Sequence, residues 1–194
     1  MNIKKLKRLK NYYTIISLFT FCSMMIYGFI ISKLTIDYPL SKLGIYEETN
    51  VVWIGTLIVL SVSILVNSIS YLVENNVQNK ILLFPLFTTS VFCLLGVSFF
   101  NMGIHGTTHN IFAGLFFILY TISIFLFGIL IIQKDFRIGS SSIIISILML
   151  GCFLWLLHQP QLFPEIGFII LSFTWNFMIN SPSDFKKMLR FFNH

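Results

Sequence analysis

Long apolar runs alternate with short polar breaks along the whole chain. Six runs stand out, over residues 12–34, 51–73, 81–100, 109–132, 139–157 and 162–180. They are dense in Leu, Ile, Val and Phe and lack the regular polar face that a helix on a water-soluble core would carry. A helix rises about 1.5 Å per residue, so about 20 apolar residues cross a hydrocarbon layer of about 30 Å. The pattern therefore predicts an all-α, polytopic membrane bundle of six transmembrane helices. The first four runs hold no acid or base in their interiors. The last two are shorter and meet at His158, Gln159, Pro160 and Gln161, a tight turn that predicts a helical hairpin.

Composition removes the competing classes. Of 194 residues, 56% are hydrophobic and 10% charged, against about 25% charged in an ordinary soluble domain. Twenty-two phenylalanines cannot be hidden in one soluble core of this length. A soluble enzyme, a disulfide scaffold and a disordered chain are excluded. Cys22, Cys93 and Cys152 all lie inside apolar runs, where a thiol serves as a small hydrophobe, and no C-x-x-C pair is present. The first run follows Lys4, Lys5, Lys7, Arg8 and Lys10, but it is too long for a signal-peptide core and is read as a retained helix.

The distribution of charge sets the expected orientation. If the N-terminus is cytoplasmic, the inner segments carry five, one, two and three Lys or Arg in turn, and the outer loops carry only Lys33 and Lys42. That asymmetry places both termini in the cytoplasm of a multi-pass protein of the cytoplasmic membrane. The inner positive charge then meets anionic lipid headgroups. The short inner loops leave no base-reading domain, so no nucleic-acid partner is expected. With no repeat and no linker, residues 1–194 read as one membrane domain. The longest polar segment, 33–50, is long enough to cap the outer mouth of the bundle.

On this topology His105, His109 and His158 share the outer boundary with Asp37, Glu47, Glu48 and Glu165. Histidine and carboxylate at a wet membrane boundary can hold a headgroup, a small ligand or a metal. In the stretch from Asn101 to Asn110, Gly103 and Gly106 favour a turn, and Thr107 or Thr108 is the expected N-cap of the fourth helix. The positive helix end favours a neutral, ligating imidazole at His109. The ligand-binding candidates are His105, His109, Asn110 and His158, with the acids Glu165, Asp37 and Glu47. A zinc set of His105, His109 and His158 is the alternative, with Glu165 or Asp37 orienting water in a metal-dependent lipid hydrolase. No cofactor is otherwise expected, and a haem between His109 and His158 is disfavoured because both sit near a helix end. The H-E-x-x-H, G-x-S-x-G and phosphate-loop patterns are absent, which favours a non-enzymatic role. Inside the spans, Asn67 is expected to bridge helices, and Gly96, Ala113 and Gly114 to permit close helix approach.

Two stretches carry a family resemblance. Ser41, Leu43 and Gly44 in the segment 38–50, together with Gly96 and the start of the fourth helix at His109 and Ala113, resemble a prokaryotic six-span membrane family of unknown function. That family is distantly similar to DRAM-type and fibroblast-growth-factor-receptor-activating-protein-type membrane proteins. A family Phe-Pro pair after the third-span glycine is replaced here by Phe99, Phe100 and Asn101. The resemblance implies a lipid-facing role. The expectation is thus an integral membrane protein binding a lipid headgroup, a small ligand or a membrane-protein partner at its outer face.

Overall fold

The computed structural model describes residues 3–31, 37–74, 77 and 80–180, with side chains from residue 12 onward except that of Lys80. Six helices follow in order: α1 Ile3–Ile31, α2 Glu47–Glu74, α3 Lys80–Phe99, α4 Gly106–Ile131, α5 Phe136–His158 and α6 Leu162–Asn180. A short 3-10 helix, Leu40–Gly44, lies between α1 and α2. All six long helices contain a stretch long and apolar enough to cross a membrane, and among the described residues there is no strand. This is the form that hydrocarbon demands, because a helix satisfies its backbone polar groups within itself.

The helix limits fall within four residues of the predicted ones, apart from the start of α1 and its expected end at residue 34, which lies outside the described residues. Helix α1 begins nine residues before its apolar run, through the lysine-rich segment. Helix α2 starts at Glu47 and Glu48, two acids that favour the positive end of a helix. Helix α5 is N-capped by Asp135, whose side chain accepts the backbone N–H of Ile138 at 3.3 Å.

Each helix packs on the next in sequence, and α6 returns to α1 and α2, closing a ring. On α1 the buried positions are Thr14, Ser17, Phe21, Met24 and Gly28, a stripe at alternating steps of three and four. Its other faces are exposed, Phe19 at 73% among them, as suits a helix facing lipid. Aromatic rings fill the centre. Phe117 of α4 meets Phe168 of α6 edge-on at 4.5 Å between centroids, and Phe87 of α3 stacks on Trp175 of α6 at 5.5 Å. The Trp175 indole N–H donates to the Ser142 hydroxyl of α5 at 3.1 Å, so the largest buried side chain also meets its polar need.

The 3-10 helix covers one end of this ring, called here the capped end. Leu40 and Leu43 are completely buried there. Leu43 presses on Gly28 of α1, and Trp53 of α2 presses on Gly44, two places where a Cβ would fall within 3 Å of the neighbour. Asn101 donates its side-chain amide to the Gly44 carbonyl. The Thr49 hydroxyl donates to the Leu43 carbonyl at 2.6 Å. The segment expected to cap the bundle does so through residues 40–44.

Candidate binding site at the capped end

Two spaces share a wall beneath and beside the cap. The inner one is a narrow chamber of about 50 Å³ among apolar side chains of α2, α3, α4 and α6, including Leu57, Leu94, Phe116 and Ile169. The outer one is a rim groove of about 290 Å³ reaching from Pro39 and Met102 across α4 to Leu157 and Pro160 beyond α5. Ser41, His109, Ala113, Phe117 and Glu165 line both. The open groove therefore has a polar mouth and backs onto an apolar interior.

His109 is the most deeply buried polar side chain lining both spaces, at 2% exposure. Its Nδ1–H donates to the Phe100 carbonyl at 2.8 Å. Because a carbonyl only accepts, the neutral ring carries its proton on Nδ1 and keeps a lone pair on Nε2. The position follows from the start of α4. The helix begins at Gly106 with His105 as N-cap, and His105 makes no side-chain capping bond. The expected caps Thr107 and Thr108 instead lie within the first turn. Continuous backbone bonds, His105 N–H to the Asn101 carbonyl and His109 N–H to the His105 carbonyl, wind the chain before the threonines are reached. This turns His109 inward and leaves His105 exposed, its ring edge against Phe100.

Glu165 comes from the first turn of α6, where the positive helix end favours a carboxylate. Its Oε2 accepts the backbone N–H of Leu40 and, at 3.3 Å, that of Ser41. This one side chain ties α6 to the cap across the longest stretch of sequence in the site. The Ser41 hydroxyl lies 3.5 Å from the Met102 sulfur. Asn110, exposed on α4, adds an amide to the rim of the groove.

Of the seven residues singled out from sequence, His109, Asn110 and Glu165 line the groove. His105, His158, Asp37 and Glu47 are exposed and do not line either space. Among the described residues no three His, Cys, Asp or Glu side chains gather where they could share a metal ion. The zinc set of His105, His109 and His158 is thus not assembled: one member is turned into the bundle and two face outward. Gly114 departs from its expected packing role as well. A Cβ there would meet nothing within 4 Å, whereas one on Gly96 would strike Phe112 at 2.4 Å. Of these two, Gly96 brings helices together, and Gly114 leaves a gap that opens into the groove.

A polar column that the sequence reading missed continues along α6 below the chamber. Ser172 lines the chamber, and the Asn176 amide donates to the Ser172 carbonyl at 2.9 Å and to the Tyr120 hydroxyl at 3.1 Å. Asn67 of α2 donates to Thr14 of α1 at 2.8 Å and to Asn176 at 3.4 Å, so it bridges three helices as expected. Asn180 donates to the same Thr14 hydroxyl at 2.8 Å. The spacing of Glu165, Ser172, Asn176 and Asn180, in steps of seven, four and four, was the available signal.

Compared with known proteins, the chain matches no family model, no curated protein and no solved structure. The residues quoted for the family resemblance fall in three places. Ser41, His109 and Ala113 line the groove, Leu43 and Gly44 form the cap, and Gly96 seats the ring of Phe112.

Proposed function

We propose that this chain is an integral protein of a cytoplasmic membrane that binds a lipid headgroup or another small polar ligand in the rim groove of its capped end. The excess of Lys and Arg in the segments joining the other end orients the capped end away from the cytoplasm. One observation carries the reading. His109 and Glu165, from different helices, face a common space while the backbone engages only part of the hydrogen-bonding capacity of each. A buried imidazole and a carboxylate kept only for packing would be an expensive choice in an apolar bundle. As ligand-binding groups, the Nε2 lone pair and the carboxylate offer fixed acceptors beside the amide of Asn110. The role does not require turnover.

Native mass spectrometry of the full chain in mild detergent reads a retained molecule directly. Wild type is expected to hold one ligand per chain. Glu165→Gln keeps an oxygen for the Leu40 and Ser41 N–H groups but removes the charge. Its occupancy should fall about tenfold, the equivalent of one charge-assisted hydrogen bond, with the melting midpoint nearly unchanged. A wild-type chain at its bare mass, or a Glu165→Gln variant as occupied as wild type, overturns the reading.

A further inference from the structure

The rim groove does not end at the rim. On its lipid-facing side it meets a second depression of about 270 Å³ between α4 and α5, and Phe117 and Phe153 line both. That depression is walled by Ile118, Ile122 and Phe125 of α4 and by Ile147 and Leu150 of α5, all substantially exposed. It is a trench on the outside of the bundle, and Gly114 stands at its head where the absence of a side chain leaves space.

Its length is informative. From Gly114 to Phe125 is eleven steps along α4, or about 17 Å at the helical rise of 1.5 Å. Half of a hydrocarbon layer of about 30 Å is about 15 Å. The trench is therefore about as long as one acyl chain within a leaflet. A solvent-borne solute needs the mouth but has no use for the trench. A lipid uses both.

The chemistry of the mouth limits the head. Its polar groups are Ser41, His109, Asn110 and Glu165, mostly acceptors, and no Lys or Arg is among the described residues that line it. Lys42, the only Lys or Arg among the described residues at this end, has its ammonium 3.1 Å above the centre of the Tyr38 ring and lines neither space. A phosphate monoester would bring negative charge to a mouth that offers no Lys or Arg to meet it. Hydroxyl groups would donate to the Nε2 of His109 and to Glu165 and accept from Asn110.

We infer that the ligand is an acylglycerol-type lipid of the leaflet at the capped end, one acyl chain lying in the α4/α5 trench and an uncharged, hydroxyl-bearing head seated between His109, Asn110 and Glu165. This rests on the ligand-binding reading above and adds to it the class of ligand and the side from which it enters. Entry is lateral, from the bilayer, past Gly114.

The test uses the full chain in nanodiscs of phosphatidylcholine doped with equal amounts of monoglucosyl diacylglycerol and phosphatidic acid, with native mass spectrometry reading the lipids that stay bound. The glucolipid is expected to be enriched about tenfold over phosphatidic acid, a difference of about 1.4 kcal/mol. Gly114→Leu, whose Cβ would meet nothing within 4 Å, should remove that enrichment. Gly151→Leu, on the exposed face of α5 where a Cβ likewise meets nothing within 4 Å, should leave it intact. Matched melting midpoints for the two variants show that both fold. Preference for phosphatidic acid, or unchanged enrichment in folded Gly114→Leu, overturns the inference. A chain-free glucosylglycerol that binds as tightly as the glucolipid overturns the trench while sparing the rim site. If neither glucolipid nor glucosylglycerol binds, this inference falls, and the ligand-binding reading is judged by its own Glu165→Gln measurement.

Discussion

The seam between α4 and α5 is a different joint at each of its ends. Far from the cap, Gly128 and Gly139 face one another so closely that a Cβ on Gly139 would lie 2.4 Å from the Ile132 Cα, and one on Gly128 would lie 2.9 Å from the Gly139 carbonyl. At the capped end the same pair of helices parts at Gly114, where a side chain would meet only space. The polar groups divide in the same way. Asn67, Asn176, Asn180 and Thr14 bond to one another and hold α1, α2, α4 and α6 together through Tyr120. His109 and Glu165 bond chiefly to backbone and face a groove. Polar residues in a membrane bundle thus serve two ends, and what separates them is whether the partner is another side chain or an open space. Packed glycines and amides bonded to one another mark the far end; an empty glycine and polar groups facing a groove mark the capped end.

The largest expected effect tests the far end. Gly139→Val must push α5 off the backbone of Ile132, since neither the Cα at 2.4 Å nor the N at 2.6 Å can rotate away. A loss of about 3 kcal/mol is expected, the upper range for overpacking, read as a lowered midpoint of thermal unfolding in detergent. Gly114→Ala, on the same seam, should stay within about 0.5 kcal/mol of wild type. Equal losses for the two would erase the distinction between the ends.

A smaller effect is expected in the amide network. Asn176→Leu removes the donors to Tyr120 and to the Ser172 carbonyl and the acceptor of Asn67. It leaves a buried phenol and a buried amide each short of a partner, at about 2 kcal/mol. Tyr120→Phe removes only one bond, and Asn176 keeps its other two, so about 0.6 kcal/mol is expected. If Tyr120→Phe costs as much as Asn176→Leu, the phenol rather than the amide is the centre of the network.

How much of this was legible in the sequence depends on how far each feature reaches. The spans were, because crossing hydrocarbon is a local demand on composition, and the helices from α2 to α6 begin and end within four residues of the apolar runs. The cap was legible in outline as the longest polar segment. Gly96 and Gly114 were not distinguishable. Both sit in apolar helices, and only the rotation of α4 against its neighbours decides that one seats Phe112 while the other faces a gap. Glu165 could be placed at the right boundary, but its bond to the Leu40 and Ser41 backbone joins segments 125 and 124 residues apart, and nothing local encodes that. The polar stripe of α6 was written in its spacing. The heptad of Thr49, Thr56, Ser63 and Ser70 on α2, all buried, was also available; small hydroxyl residues are simply easy to overlook among apolar ones.

The smallest expected effects lie on the histidines that the bundle turns outward. His105 has its ring centroid 5.9 Å from that of Phe100, edge-on, and is otherwise exposed, and His158 ends α5 on an exposed position. Neither touches the groove, so His105→Ala and His158→Ala should each move the unfolding midpoint by the equivalent of no more than about 0.5 kcal/mol and leave ligand retention unchanged. His109→Ala removes a bond to the Phe100 carbonyl and empties a buried site, and it should lose about 1–2 kcal/mol together with the ligand. A shared metal centre would give another pattern, in which added zinc raises the wild-type midpoint and all three substitutions abolish that rise equally. The two patterns cannot be confused. A buried binding group makes one histidine matter and two indifferent, whereas a three-ligand site makes the exposed pair as necessary as the buried one.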